Sequence, residues 1–106
     1  MRPVWVRAGT LTSLSHPDAL ARVAHPRGEV LVVVEGGRPC AVANSCPHLG
    51  APLTAGYRRK GWIECPMHSW RFDLATGRCL SHPGADLCTY PTRVVDGVVE
   101  VELPEP

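Results

Sequence analysis

Cys46-Pro47-His48 and Cys65-Pro66-Met67-His68 each set a thiol beside an imidazole, with sixteen residues between His48 and Cys65. Two thiolates and two neutral ring nitrogens suffice to close the coordination of a small metal centre. A common zinc finger keeps both cysteines in one half and both histidines in the other, as C-x₂₋₄-C followed by H-x₃₋₅-H. Here each half-site is mixed. Two interleaved loops, each giving one sulfur and one nitrogen, place both sulfurs on one metal and both nitrogens on a second. A [2Fe–2S] centre needs that arrangement when His₂ replaces Cys₂ on one iron. The same four groups in tetrahedral S₂N₂ geometry also suit zinc, so a structural zinc site stands as an alternative at this point.

The flanking residues extend the pattern. The stretch Cys46-Pro-His-Leu-Gly-Ala-Pro-Leu53 is followed by Cys65-Pro-Met-His-Ser-Trp-Arg-Phe-Asp73 and then Thr76-Gly77. In ligands, spacing and flanks this resembles the cluster-binding region of Rieske iron–sulfur proteins. The resemblance implies an all-β fold: an antiparallel β-sandwich carrying a small two-loop cluster-binding subdomain at about residues 44–83. It implies one [2Fe–2S] cluster, with Cys46 and Cys65 on the inner iron and His48 and His68 on the outer one. By the same resemblance, the amides around Leu49, Gly50, Ser69 and Trp70 donate hydrogen bonds to the sulfurs. A third loop, Ser81-His82-Pro83-Gly84-Ala85, is expected over the cluster, with His82 a loop residue without ligand duty.

A [2Fe–2S] core with both irons ferric carries a charge of +2, so two thiolates bring the oxidised centre to about zero, where four would make it a dianion. Reducing a neutral centre is easier, and the His ligands therefore raise the potential. Each imidazole uses one nitrogen for iron and, in the family, presents the other to solvent, where electron uptake raises its pKa. Within this class, high-potential members place a Ser two residues and a Tyr four residues after the last His, and clip the loops with a disulfide. This chain has Trp70, Phe72, Ala51 and Met67 at those positions. None has a hydroxyl or thiol, and all four departures point to the low-potential branch. Ser69 departs too, since the family usually has Gly there.

The elements that must position these groups are short. Pro 11 and Gly 10 in 106 residues break the chain into brief apolar segments, a pattern of strands and turns. Strands are expected at Val4–Arg7, Val30–Glu35, Cys40–Ala43, Trp62–Glu64, Trp70–Asp73, Arg93–Val95 and Val98–Leu103. Asp96-Gly97 between valine pairs reads as a two-residue hairpin turn with positive φ at both positions. Thr76-Gly77 turns a longer hairpin from Phe72 to Leu80. Ser15-His16-Pro17-Asp18 reads as a capping box for one helical turn through Leu20.

Length and composition describe a single domain, residues 1–106, without a separate catalytic unit. Hydrophobic content of 44% and charged content of 20% are those of an ordinary globular chain. A formal net charge of +1 argues against nucleic acid or a membrane surface as partner. The longest aliphatic run, Val30 to Val34, falls far short of a membrane span, and the N-terminus lacks a signal-peptide core. A cytoplasmic location is therefore expected, with metal ligation rather than disulfides as the use of cysteine. Cys40, Cys79 and Cys88 read as small buried residues. Arg58-Arg59-Lys60, with Arg71, reads either as a solvated turn or as a basic docking edge.

These readings converge on a one-electron carrier, a ferredoxin that takes electrons from a reductase and passes them to a terminal oxygenase. Two others stay open at this stage. One is the small Rieske subunit of an oxidoreductase complex such as nitrite reductase; the other is a metal-stabilised interaction or redox-sensing module. No 2-His-1-carboxylate group at a recognisable spacing suggests catalysis by this chain alone.

Overall fold

A computed structural model describes residues 3–26, 28–47, 50–67 and 69–104. Its nine strands among these residues form three three-stranded antiparallel sheets. The first joins β1 (Pro3–Thr10), β9 (Val98–Pro104) and β8 (Thr92–Val95) in the order β1-β9-β8. The second is β2 (Ala21–His25), β3 (Gly28–Glu35) and β4 (Arg38–Ala43) in sequence order. The third, β5 (Tyr57–Arg59), β6 (Trp62–Glu64) and β7 (Arg71–Asp73), lies within the 44–83 segment that carries both ligand runs. The all-β antiparallel fold expected from the sequence is therefore present.

The Val30–Val34 run is continuous because β3 is covered on both faces. Leu31 and Val33 enter one apolar cluster with Val42, Leu53, Ile63, Phe72 and Leu74. Val30, Val32 and Val34 enter another with Leu14, Val99, Val101 and Leu103. Side chains alternate across a strand, so a strand buried on both sides loses the polar half of the pattern. In β9 the alternation survives: Val99, Val101 and Leu103 are buried, while Glu100 and Glu102 are partly exposed.

The second sheet is tied to the segment before β8. An isolated bridge pairs Val42 with Thr89, and the Ala43 N–H donates to the Cys88 carbonyl at 2.9 Å. Asp96 and Gly97 adopt φ of 51° and 78°, as the hairpin requires, and Val95 pairs with Val98 across the turn. The 72–80 hairpin is also present. Phe72 bridges Cys79, and the Asp73 side chain accepts from the N–H groups of Ala75 and Thr76 at 2.8 and 3.0 Å, starting the turn.

The helical turn lies elsewhere than expected. It spans Leu11–Leu14, with Thr10 as its N-cap accepting from the Ser13 N–H at 3.1 Å; Ser15 is its C-cap. Thr10 offers the same hydroxyl as Ser15, but it stands ahead of Leu11 and Leu14, which pack into the second apolar cluster. At 16–19, His16 instead closes a turn by accepting from Ala19 on its carbonyl and from the Asp18 N–H on Nδ1. β2 and β5 were not expected as strands. β2 places only Val23 in the core, and β5 consists of Tyr-Arg-Arg.

Candidate metal centre

β4 runs out at Ala43 and β6 at Glu64, and each delivers the chain into a tight loop that begins with a cysteine. The two loops share one backbone frame. In the first, the Cys46 N–H donates to the Ala51 carbonyl at 2.8 Å and the Gly50 N–H donates to the Cys46 carbonyl at 2.7 Å. In the second, the Cys65 N–H donates to the Trp70 carbonyl at 2.7 Å and the Ser69 N–H to the Cys65 carbonyl at 3.2 Å. The fifth residue of each loop has positive φ, 74° at Gly50 and 58° at Ser69. A left-handed residue closes such a loop, and glycine meets that demand without steric cost. This gives a physical reason for a glycine at position 69, and shows that serine fills the same conformation here.

Cys46 and Cys65 are each 1% exposed and belong to one apolar cluster, whereas Pro47, Gly50, Met67 and Ser69 are exposed. The cysteines thus stand at the buried roots of two loops whose later residues reach the surface. Two buried sulfur donors from matched loops fit the inner half of a small iron–sulfur centre, since thiolates taken out of water require a cationic partner. His48, Leu49 and His68 lie outside the described residues. The Gly50 and Ser69 amides donate to the cysteine carbonyls and hold the loops closed. Trp70 joins the frame through its carbonyl, and its ring packs partly buried against the same apolar cluster.

Other residues hold the loop bases. Asn44, a buried polar side chain, accepts from the Thr54 N–H at 3.1 Å and donates to the Thr54 hydroxyl at 3.2 Å and to Glu29 Oε1 at 3.3 Å. These bonds join the strand that enters the first loop to the 3₁₀ turn Leu53–Ala55 that leaves it. Gly56 then lies directly on the other loop's approach: a Cβ there would stand 1.8 Å from the Glu64 carbonyl oxygen and 3.1 Å from Pro66 Cδ. Sequence reasoning passed over both residues, because an Asn in a turn and a Gly after one have ordinary local explanations.

The third loop does approach the site. The His82 ring stacks on Trp70 with centroids 3.9 Å apart and planes inclined by 19°. The loop is anchored by the Ser81 hydroxyl, which accepts from the Arg71 N–H, and by Asp86, which accepts from the Cys79 N–H at 2.9 Å. Of the three remaining cysteines, Cys79 is buried and Cys40 half-buried, but Cys88 is exposed, contrary to expectation. Burial, reinforced by the charges of Glu35 and Asp73, pushes the Cys40 thiol above its ordinary range.

The basic run divides. Arg58 turns inward, pairing with Glu35 at 2.9 Å and donating to the carbonyls of Val34 and Ala19. Arg59 and Lys60 remain exposed at the β5–β6 turn. Arg71 pairs with Glu64 at 3.4 Å and lies over the Trp62 ring, 5.0 Å from its centroid.

Comparison with known proteins agrees with this site. The Rieske [2Fe–2S] domain model matches residues 4–91. The ferredoxin component of a naphthalene 1,2-dioxygenase system from Pseudomonas putida is 33% identical over 100 residues, covering 93% of this chain and 95% of that protein. The Sphingomonas yanoikuyae B1 ferredoxin superposes with a TM-score of 0.81 at 30% identity, covering 95% of this chain and all of that one. A chain from the complex of reduced oxygenase and oxidized ferredoxin in carbazole 1,9a-dioxygenase gives 0.83 at 27% identity, with 92% of each chain covered. This chain belongs to the Rieske [2Fe–2S] domain family. It is an electron-transfer protein whose cofactor is one Rieske-type cluster.

Proposed function

We propose that this protein is the ferredoxin component of an oxygenase system, taking single electrons from a reductase and delivering them to a terminal oxygenase. The observation that carries this reading is the pair of matched loops, each rooting one buried cysteine in the same apolar cluster. In this reading Cys46 and Cys65 hold the inner iron, and His48 and His68 the outer iron nearer solvent. The cluster supplies a one-electron couple between its oxidised and reduced states. The chain's own residues keep water from the sulfurs and hold the loops in a single frame, so that the site changes little in shape as charge arrives.

Residues 1–106 act as one domain, with 44–83 as the part that carries the cluster. Among the described residues no helix is long and apolar enough to cross a membrane, which supports a cytoplasmic setting for this carrier. The potential belongs to the low branch. Phe72, fully buried in the core, and Trp70, stacked on His82, offer the cluster no side-chain hydroxyl.

The test is low-temperature EPR of anaerobically purified protein treated in parallel with ascorbate and with dithionite. A rhombic Rieske-type signal with dithionite alone is expected. The same signal with ascorbate would keep the cluster but overturn the low-potential assignment. Zinc without iron, and no signal, would overturn the electron-carrier reading in favour of a metal-stabilised module. Reduced protein mixed with a terminal oxygenase should reoxidise in step with product formation. Stable co-purification with a large reductase subunit would instead favour the role of a complex's small subunit.

A further inference from the structure

Resting on that ligand assignment, we infer that Asn44 and Gly56 form a noncovalent latch that sets the spacing of the two cysteine loops. The latch is a continuous path of contacts. It begins two residues before Cys46, where the Asn44 carboxamide exchanges hydrogen bonds with the backbone and side chain of Thr54. It passes along the Leu53–Ala55 turn, whose Leu53 is fully buried in the same cluster as both cysteines. At Gly56 it presses on the carbonyl of Glu64, the residue immediately before Cys65, and on Pro66 immediately after it.

Gly56 does not sit in the left-handed region that favours glycine. Its backbone is extended, with a negative φ of −94° and ψ of −151°, and the contact is what leaves no room for a Cβ. No real side chain fits within 1.8 Å of a carbonyl oxygen, and even an alanine methyl must open this seam by about 1 Å. The seam joins the exit of one loop to the entrance of the other, so opening it moves the cysteine backbones relative to each other. Asn44 works from the opposite side. Its carboxamide also donates to Glu29 Oε1 on β3, which seats the first loop on the central sheet. The two residues therefore position both sulfur donors without touching the iron themselves. With Ala51 and Met67 lacking thiols, the loops have no covalent link at those positions, and the latch joins them at their bases.

The experiment compares the holoprotein with its Gly56→Ala, Asn44→Ala and Val101→Ala variants. Val101 is fully buried in the other apolar cluster and serves as a control for lost stability alone. The readouts are the EPR g values of the reduced form, the midpoint potential, the rate of bleaching by an iron chelator, and Tm. Gly56→Ala should shift or broaden the g values, move the potential and bleach about tenfold faster or more, as loss of an outer-shell partner does at metal sites. Asn44→Ala should move the same quantities in the same direction by less, and it carries the test if Gly56→Ala does not fold. Val101→Ala should lower Tm and leave g values and potential in place. Asn44→Ala, together with any folded Gly56→Ala protein, matching wild type in g values and potential while losing Tm as the control does would overturn the latch. A wild-type protein with no Rieske-type signal overturns the ligand assignment before any variant is made, and the latch falls with it.

Discussion

Ser69 holds a backbone conformation that L-residues avoid, at the position where Gly50 serves its partner loop. The left-handed region costs a residue with a Cβ roughly 1–2 kcal/mol, part of which glycine gives back through its freer unfolded chain. Ser69→Gly is therefore expected to raise stability by up to about 1 kcal/mol, and Ser69→Val, β-branched, to lower it by more than that. Thermal unfolding of the two holoproteins checks this, and equal Tm values would contradict the shared loop frame. At this scale the sequence singled out candidate donors and was silent about their supports. Two cysteines next to prolines at fixed spacing announce a metal site through their chemistry. That the amides of Gly50 and Ser69 bind the cysteine carbonyls depends on loop closure, a three-dimensional event with no separate letter in the chain.

Among the elements, the β5–β6 hairpin shows how a charge run can mislead. Arg58-Arg59-Lys60 looks uniform in one dimension, yet a strand sends alternate side chains to opposite faces. Arg58 consequently meets Glu35 and two carbonyls, with its side chain 12% exposed, while its neighbours stay in solvent. Arg58→Met is expected to cost roughly 2–4 kcal/mol, since it leaves Glu35 and the carbonyls without their donor. Reversing Arg59 and Lys60 alone should change Tm little. Urea and thermal unfolding of both proteins separate the two cases, and a stability loss confined to the Arg59/Lys60 variant would contradict the assignment. Reversing all three charges would confuse docking with unfolding. The hairpins at Asp96-Gly97 and Thr76-Gly77 were legible because turn chemistry is local. β2 and β5 were not, because each becomes a strand by pairing with a neighbour that carries the buried side chains. The helical turn was displaced by a few residues because Thr10 and Ser15 offer equivalent hydroxyls, and only the packing of Leu11 and Leu14 chooses between them.

For the molecule as a whole, the apolar side chains divide into two clusters on either side of β3, and only one of them contains the cysteines. On the proposed ligand assignment, removing iron with a chelator would leave two thiols in that cluster and take away bonds that join its loops, so its stability should fall first. Hydrogen exchange of the apoprotein is expected to show early loss of protection across 46–70, with Val99, Val101 and Leu103 protected longest. Uniform loss along the chain would show that the two halves open as one. The all-β class was readable because turn residues are written along the chain. The two-cluster division was not, since a run of five aliphatics does not say which face each serves. That shared strand has a consequence for how this protein can diverge. Positions 30–34 lack a face on which substitutions go unnoticed, so drift there is confined to aliphatic exchanges matched by a neighbour in one cluster or the other. The exposed Val94 and Val95 carry no such restriction, and among descendants of this chain these two positions should vary freely while 30–34 stays aliphatic.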